Sequence, residues 1–335
     1  MSDVFESREV QLASRPSGEP SDANFAFAST KIGPPGAGQV VVRNELISVD
    51  PYMRGRLNAA RSYAKPYDVG KAMWGGAIGT VVASESANLP VGTKVLHGLG
   101  WREYALLDAQ DARPIDTSKV PAEMYLGALG MPGFTAWIGL RVIAEVKPGE
   151  TLFVSGAAGA VGSTVVQLAK VWSLRVIGSA GSSEKVRFVR ELGADDAFNY
   201  HDAPVKDLLA KAAPDGIDVF YDNVGGEHLD AALGATKDYA RIVLCGAISV
   251  YNAASLPSGP GNIRLAIPRR LRIQGFIIFD HAEREAEFIA DMLPLVRSGK
   301  VKARTTIIEG LESAPRALMD ILQSDSHLGK MLVRL

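Results

Sequence analysis

The sequence predicts an α/β protein of two parts, a small β-barrel domain and a doubly wound parallel sheet flanked by helices. Three observations carry this. Short strand-like runs separated by Pro and Gly fill residues 9 to 115, and βα units follow one another from residue 151 onward. At the first of these units stands T-L-F-V-S-G-A-A-G-A-V-G-S, an apolar β-rich run, a glycine turn and the start of a helical pattern. Strands and helices alternating at these lengths give a parallel sheet with helices on both faces. With 335 residues and 47% hydrophobic content, the chain can fill two cores.

In chain order, strands are expected at 11–14, 38–49, 76–84, 93–97 and 103–107. Apolar and polar residues alternate over 39–49, as in a strand with one buried face. Gly33-Pro34-Pro35-Gly36 and Leu89-Pro90-Val91-Gly92 are turns before strands. Near Val120 the pattern becomes helical, with Pro121 suited to a first turn, a break at Met131-Pro132-Gly133 and a helical period over 134–146. The βα units run 151–172, 174–192, 197–212 and 217–233, followed by strands at 240–245 and 272–279. A helix at 283–298, a strand at 301–308, a helix at 311–323 and a strand at 330–335 close the chain. These last elements cannot extend a parallel sheet without further crossovers, so they are expected to return to the first domain. The expected division is therefore 1–119 completed by 286–335, with 120–285 between. The stretch L-P-S-G-P-G-N at 256–262 reads as a mobile loop.

Lys plus Arg number 36 against 37 Asp plus Glu, a net charge of -1, which gives no case for nucleic acid or an acidic membrane surface. Small neutral or amphipathic molecules are the expected partners. Cys245 is the only cysteine, which excludes an intrachain disulfide and favours a reducing compartment. The five histidines lack ligand spacing, so no metal is expected. The charged first residues lack an apolar signal-like stretch and no apolar run approaches ~18 residues. A soluble, cytoplasmic protein is expected.

Gly156, Gly159 and Gly162 shape a phosphate seat: the backbone approaches a pyrophosphate closely, and the helix start supplies amides and partial positive charge. The second strand of the sheet ends near Gly178, and an NAD-preferring site usually places Asp or Glu there. Here the chain reads Ser179, Ala180, Gly181, Ser182, Ser183, Glu184, Lys185. No carboxylate stands at the strand end to repel a 2'-phosphate, and Lys185 can neutralise one. NADPH is the expected cofactor.

Other chemistry-bearing residues also follow parallel strands, where open sheets bind ligands. Tyr251, beyond Cys245-Gly246-Ala247-Ile248-Ser249, stays protonated at neutral pH and can donate to an oxygen gaining negative charge; it can equally be a half-buried loop aromatic. Cys245 reads as a packing residue rather than a nucleophile, having no paired base. Asn223 can bond the nicotinamide or its ribose, and Tyr200 the adenosine half. In the first domain Tyr52 is a second candidate donor and Tyr63 a weaker substrate-lining one. Arg54 and Arg56 read either as anion contacts or as structural cations, and His97 reads as a satisfied domain histidine.

S-R-P-S-G-E-P, S-V-D-P-Y-M-R-G-R, L-G-M-P-G-F-T-A, A-A-G-A-V-G-S, D-N-V-G-G, C-G-A-I-S-V-Y-N and L-R-I-Q-G-F-I-I fall in the order seen in one family. The chain resembles the medium-chain dehydrogenase/reductase superfamily, in its zinc-free branch of prostaglandin and curcumin reductases, essentially end to end. The resemblance implies a GroES-like barrel interrupted by a Rossmann domain, a homodimer through the Rossmann sheets, and NADPH-dependent reduction of α,β-unsaturated carbonyls. It implies that Ala158, Gly159, Ala160 and Val161 hold the pyrophosphate, Lys185 the 2'-phosphate, and Tyr200 and Asn223 the cofactor. By the same resemblance Cys245, Gly246, Ala247, Ile248, Ser249, Phe276, Ile277 and Ile278 line the nicotinamide, with Tyr52 and Tyr251 facing substrate. One departure is His327 before Leu328-Gly329-Lys330, where the family usually has a cofactor-contacting Asn. The expected reaction is hydride transfer to the β-carbon of an enone or enal, with Tyr251 and Tyr52 steadying the enolate. A quinone reductase and a non-enzymatic NADPH-binding sensor are the alternatives.

Overall fold

A computed structural model of the chain describes residues 4–60, 62–253, 255, 257–323 and 327–335. Leu256, which opens the turn-rich stretch, lies outside them. The chain divides into two units, Met1–Leu126 with Thr305–His327 and Met331–Leu335, and Gly127–Arg304 with Leu328–Lys330.

The first unit opens with β1 (Phe5–Leu12) and β2 (Phe25–Ile32), paired antiparallel from Phe5↔Ile32 to Leu12↔Phe25. Sequence reading placed a strand only at 11–14. The rest was hidden because polar residues take inward positions: Ser7 is fully buried and Glu9 nearly so, accepting from Gln11 Nε2 at 2.7 Å. Next come β3 (Gln39–Ser48), the single-turn α1 (Met53–Arg56), β4 (Ala77–Ser84), β5 (Lys94–His97), β6 (Tyr104–Asp108) and β7 (Arg113–Pro114). In β3 Val40, Val41 and Val42 are all fully buried, so this strand, paired with both β4 and β6, is more enclosed than its alternation implies.

The second unit begins with α2 (Met131–Ile138). Met131-Pro132-Gly133 opens this helix rather than breaking it. The interruption is at Gly130, extended at φ -112°, ψ -156°, and Pro132 sits in the first turn, where its missing N–H costs nothing. A π-helical turn over Gly139–Ile143 follows, and Pro121 caps a 3₁₀ turn at Ala122–Tyr125 instead of entering a helix.

The βα series is β8 (Thr151–Val154), α3 (Ala160–Val171), β9 (Arg175–Ala180), α4 (Ser183–Glu191), β10 (Asp196–Asn199), α5 (Val205–Ala212), β11 (Ile217–Asp222), α6 (Gly226–Ala235), β12 (Thr236–Leu244) and β13 (Arg272–Gly275). The six strands lie in the order β10-β9-β8-β11-β12-β13, every pair parallel. Phe153 and Phe220 stack at 5.0 Å in its core, each fully buried and stabilising by roughly 2–3 kcal/mol. The order reverses between β8 and β11, which opens a crevice at their carboxyl ends. The next helix, α7 (Glu285–Arg297), belongs to this unit. Phe288 packs 5.2 Å from Phe134, and Trp137 Nε1 donates to Asp291 Oδ2 at 3.0 Å.

The chain then re-enters the first unit with β14 (Thr305–Glu309), α8 (Ala314–Gln323) and β15 (Lys330–Arg334). β15 lies between β14 and β3 in a seven-stranded sheet of order β14-β15-β3-β4-β5-β7, with β6 on β3. The α/β class is as the sequence indicates: a β-rich unit and a doubly wound parallel one.

Candidate functional site

The carboxyl end of β8 leads into the glycine turn. All four residues of β8 are buried, and Gly156 turns the chain at φ +60°. At Gly162 a side chain would collide with the Gly156 carbonyl and lie 2.8 Å from Ala157 Cα. Only glycine lets α3 start this close to the turn, and its opening amides, Ala160, Val161 and Gly162, have no carbonyl of their own helix to bond. Gly159 caps α3 without a side chain, leaving those amides uncovered on that side. Gly329 N donates to Ala158 O at 2.9 Å, so the segment after His327 is laid along the same turn.

β9 ends at Ala180 with no acidic residue. Ser182 Oγ accepts from Lys185 N at 3.3 Å and starts α4. Lys185 is 8% exposed, so its aliphatic stem is packed and not free in solvent. Tyr200 N donates to Ala180 O at 3.1 Å, which holds its backbone beside the end of β9. Below Tyr200, edge-on at 5.0 Å, lies His228, nearly fully buried; burial pulls its imidazole down to about 4. His228 Nε2 and Ser179 Oγ are buried without a hydrogen-bond partner among the described residues.

β11 ends in Asp222, 1% exposed. Its Oδ1 accepts from Ser155 Oγ at 2.8 Å, Val224 N at 3.0 Å and Gly225 N at 2.9 Å. Desolvation outweighs these bonds and raises the carboxyl above its ordinary value. Ser155 Oγ in turn accepts from Asn223 N at 2.9 Å, and Asn223 Nδ2 donates to Ser155 O at 2.8 Å. One buried carboxylate thus ties the ends of β8 and β11 together. The segment after β12 is built on the same loop: Cys245 N and Gly246 N donate to Asp222 O, and Ser249 Oγ donates to Val224 O at 2.6 Å. The Cys245 thiol is pushed up to about 12, chiefly by burial, so it stays protonated and inert. Tyr251 is half-buried, and its hydroxyl accepts from Ala247 N at 3.4 Å, turned back over Gly246. Phe276, Ile277 and Ile278, all half-buried, follow the end of β13.

Sequence reading thus marked Gly156, Ala158 to Gly162, Tyr200, Asn223 and Cys245 to Tyr251, and all of them stand at carboxyl ends of parallel strands. It passed over Ser155, Asp222 and His228. Asp222 stood in the D-N-V-G-G motif, where a carboxylate before two turn residues signals an amide-accepting role.

In the first unit Tyr52 immediately precedes α1, and Arg56 presents its guanidinium 4.6 Å from the Tyr52 ring centre. Arg54 is structural, donating to Asn58 Oδ1 at 2.9 Å and Gly18 O at 2.6 Å. Tyr63 is exposed. His97 is the satisfied histidine expected: Leu99 N donates to its Nδ1 at 3.1 Å, so Nε2 carries the proton toward Asn44 Oδ1 at 2.8 Å. Burial pulls it down to about 4. Among the described residues no three His, Cys, Asp or Glu side chains gather as a metal would require, and no helix is long and apolar enough to cross a membrane.

Two family models match, one described as the N-terminal domain of oxidoreductase over residues 8–115 and one as zinc-binding dehydrogenase over 160–297. The chain is 41% identical to the NADPH-dependent curcumin reductase of Escherichia coli, over 98% of this chain and 96% of that protein. It is 37% identical to the NADP(+)-dependent 2-alkenal reductase of Nicotiana tabacum, over 99% and 98%. The crystal structure of CurA from Vibrio vulnificus in complex with NADPH superposes with a TM-score of 0.93 at 41% identity, covering 98% of both chains. With a parallel sheet that places its glycine turn and its Asp222 loop at the switch point, and with relatives matching from end to end, the chain belongs to the medium-chain dehydrogenase/reductase superfamily, in the zinc-free branch of the curcumin, prostaglandin and 2-alkenal reductases.

Proposed function

We propose that the protein is an NADPH-dependent reductase of carbon-carbon double bonds conjugated to a ketone or aldehyde. The observation that carries this is the end-to-end match to NADPH-dependent double-bond reductases, including a chain crystallised with NADPH. The residues fit that cofactor. Gly162 keeps a cradle that any Cβ would fill, α3 offers its first amides, and the end of β9 has no carboxylate, with Lys185 following in the first turn of α4.

In this reading Gly156 and Ala158 to Gly162 hold the pyrophosphate, Lys185 the 2'-phosphate, Tyr200 and Asn223 the riboses, and His327 adds a contact beside Gly329. Cys245 to Ser249 with Phe276 to Ile278 form the nicotinamide wall. The first unit is the catalytic, GroES-like domain and the second the Rossmann, cofactor-binding domain. Bound NADPH supplies the hydride for the β-carbon. As charge moves onto the carbonyl oxygen, the Tyr251 hydroxyl donates to it, with Tyr52 as a second donor and Tyr63 at the substrate entrance. Such a donor lowers the barrier because it is already oriented when the charge appears.

Two further features support a homodimer through the parallel sheets. β13 is its edge strand, with Arg272, Gln274 and Gly275 exposed, and Ile263 and Ile267 are exposed at 49% and 84%. A cytoplasmic setting suits the single cysteine.

The test is a spectrophotometric panel of enones, enals and quinones with NADPH and NADH in parallel. Saturated carbonyl products formed with NADPH support the proposal. Consumption of quinones alone would make the protein a quinone reductase, and tight NADPH binding without turnover of any acceptor would make it a sensor.

A further inference from the structure

Of the two buried arginines of the first unit, Arg54 and Arg56, the second is not tied down by backbone or side-chain acceptors as the first is. Arg56 is 7% exposed, and its Nε and Nη1 have no hydrogen-bond partner among the described residues. Instead of meeting a carboxylate, the guanidinium lies between aromatic faces. Its carbon is 4.0 Å from the Trp74 ring centre, 4.6 Å from that of Tyr52 and 6.0 Å from that of Tyr67. Trp74 and Tyr67 are locked to each other, edge to face at 5.6 Å, and Tyr67 Oη donates to Trp74 O at 2.8 Å. A desolvated cation is costly, and the negative faces of the rings offset part of that cost here. The fold retains this arrangement directly beneath Tyr52.

The hydroxyl end of Tyr52 is also closely surrounded. A Cβ on Gly75 would run into Met53 Cε and stand 3.6 Å from Tyr52 Oη, so the Gly75 backbone and Met53 pack beside that hydroxyl. Trp101, fully buried and held at φ +64°, points an Nε1 without a hydrogen-bond partner to within 3.8 Å of the same place. A strained, fully buried aromatic beside this hydroxyl marks a place where geometry is imposed by the surroundings.

We propose that Arg56 is a positioning residue for Tyr52: clamped against Trp74, its guanidinium fixes the phenol ring and offsets the negative charge the phenol gains when it donates to the substrate oxygen. This rests on the reading of Tyr52 as a substrate donor. The electrostatics agree with the geometry. Burial pushes the Tyr52 phenol well above its ordinary value, Asp50, Tyr67 and Tyr63 add to that, and Arg56 works against it. No covalent step is assigned to Arg56. Lysine keeps the charge but loses the flat face, and methionine keeps bulk but loses both.

Arg56→Met, Arg56→Lys, Tyr52→Phe and the Arg56→Met/Tyr52→Phe pair test this, each first checked for folding by circular dichroism. With an enone and saturating NADPH, Arg56→Met should lower kcat about tenfold with KM changed about twofold or less, and Arg56→Lys should recover part of the loss. In the Tyr52→Phe background Arg56→Met should have no further effect. In the cofactor-free protein, the Tyr52 phenol, isolated as the difference between Tyr52-containing and Tyr52→Phe alkaline titrations, should ionise at higher pH once Arg56 is Met. Should Arg56→Met not fold, Arg56→Lys carries the kinetic comparison and Arg56→Gln the titration. Equal effects of the Arg56 change in both backgrounds, or an unmoved phenol, overturns the inference while leaving Tyr52 a donor. Unchanged turnover in Tyr52→Phe overturns the donor reading, and this inference with it.

Discussion

Replacing Asp222 separates the hydrogen bonds of the β8–β11 junction from the charge that makes them. Three donors converge on Oδ1, from Ser155, Val224 and Gly225, in a place 1% exposed. Asp222→Ala leaves a hydroxyl and two amides without an acceptor, and at about 1–1.5 kcal/mol each the loss is about 3–4.5 kcal/mol. At about 2–4 °C per kcal/mol for a domain of this size, the melting temperature should fall by about 10 °C. Asp222→Asn keeps an oxygen at Oδ1 and removes a charge held against desolvation, so it should stay within about 1 kcal/mol of wild type at neutral pH. The pH dependence has a definite sign. The folded carboxyl titrates above its unfolded value, so its contribution to stability is full below the unfolded value and is lost as pH rises through the raised one. Asp222→Asn should abolish that loss and gain on wild type as pH rises. Scanning calorimetry of the cofactor-free proteins at several pH values measures all of this. An alanine variant melting within about 3 °C of wild type, or an asparagine variant as damaged as the alanine one, would refute the assignment.

Tyr251→Phe should lower turnover of an enone about a hundredfold while leaving the Kd for NADPH unchanged, measured by steady-state kinetics and fluorescence titration. Lys185→Ala should weaken NADPH about 10- to 100-fold and leave NADH unaffected, as calorimetric titration of both would record. Folded His97 and His228 titrate at about 4, against 6.5 for a free imidazole. Their contribution is therefore full above 6.5 and lost as pH falls through about 4, roughly 3 kcal/mol each. In urea unfolding, His228→Phe should lose about 2–3 kcal/mol less than wild type between neutral and acid pH.

The second unit could be read from sequence because its signals are local. A glycine turn needs Gly162 for a contact six residues back in the chain, and each βα unit carries both its periods within one short window. What escaped depends on partners far apart in sequence. β1 and β2 were obscured by buried polar residues such as Ser7, which is satisfied by Tyr104 O at 3.3 Å from the distant β6. The placing of α7 rests on Phe288 against Phe134, and no amphipathic pattern says which unit a helix will cover. In the site, the glycines, Tyr200, Asn223 and Tyr251 were recognisable by following strands. Ser155 and Asp222 were passed over, because their bond to each other forms only when two strands far apart in sequence pair and bring them within 2.8 Å. Arg56 was identified but left open between two uses, since only the folded chain puts Trp74 and Tyr52 on either side of it.

The place of β15 bears on how the chain is made. Leu332 pairs with Ser48, so β15 completes the flank of a strand, β3, that is made nearly three hundred residues earlier. Until then β3 has a bare flank, and the earliest-made unit waits while the continuous stretch Gly127–Arg304 can already collapse on itself. The nearly continuous unit can thereby collapse before the split one has all its strands.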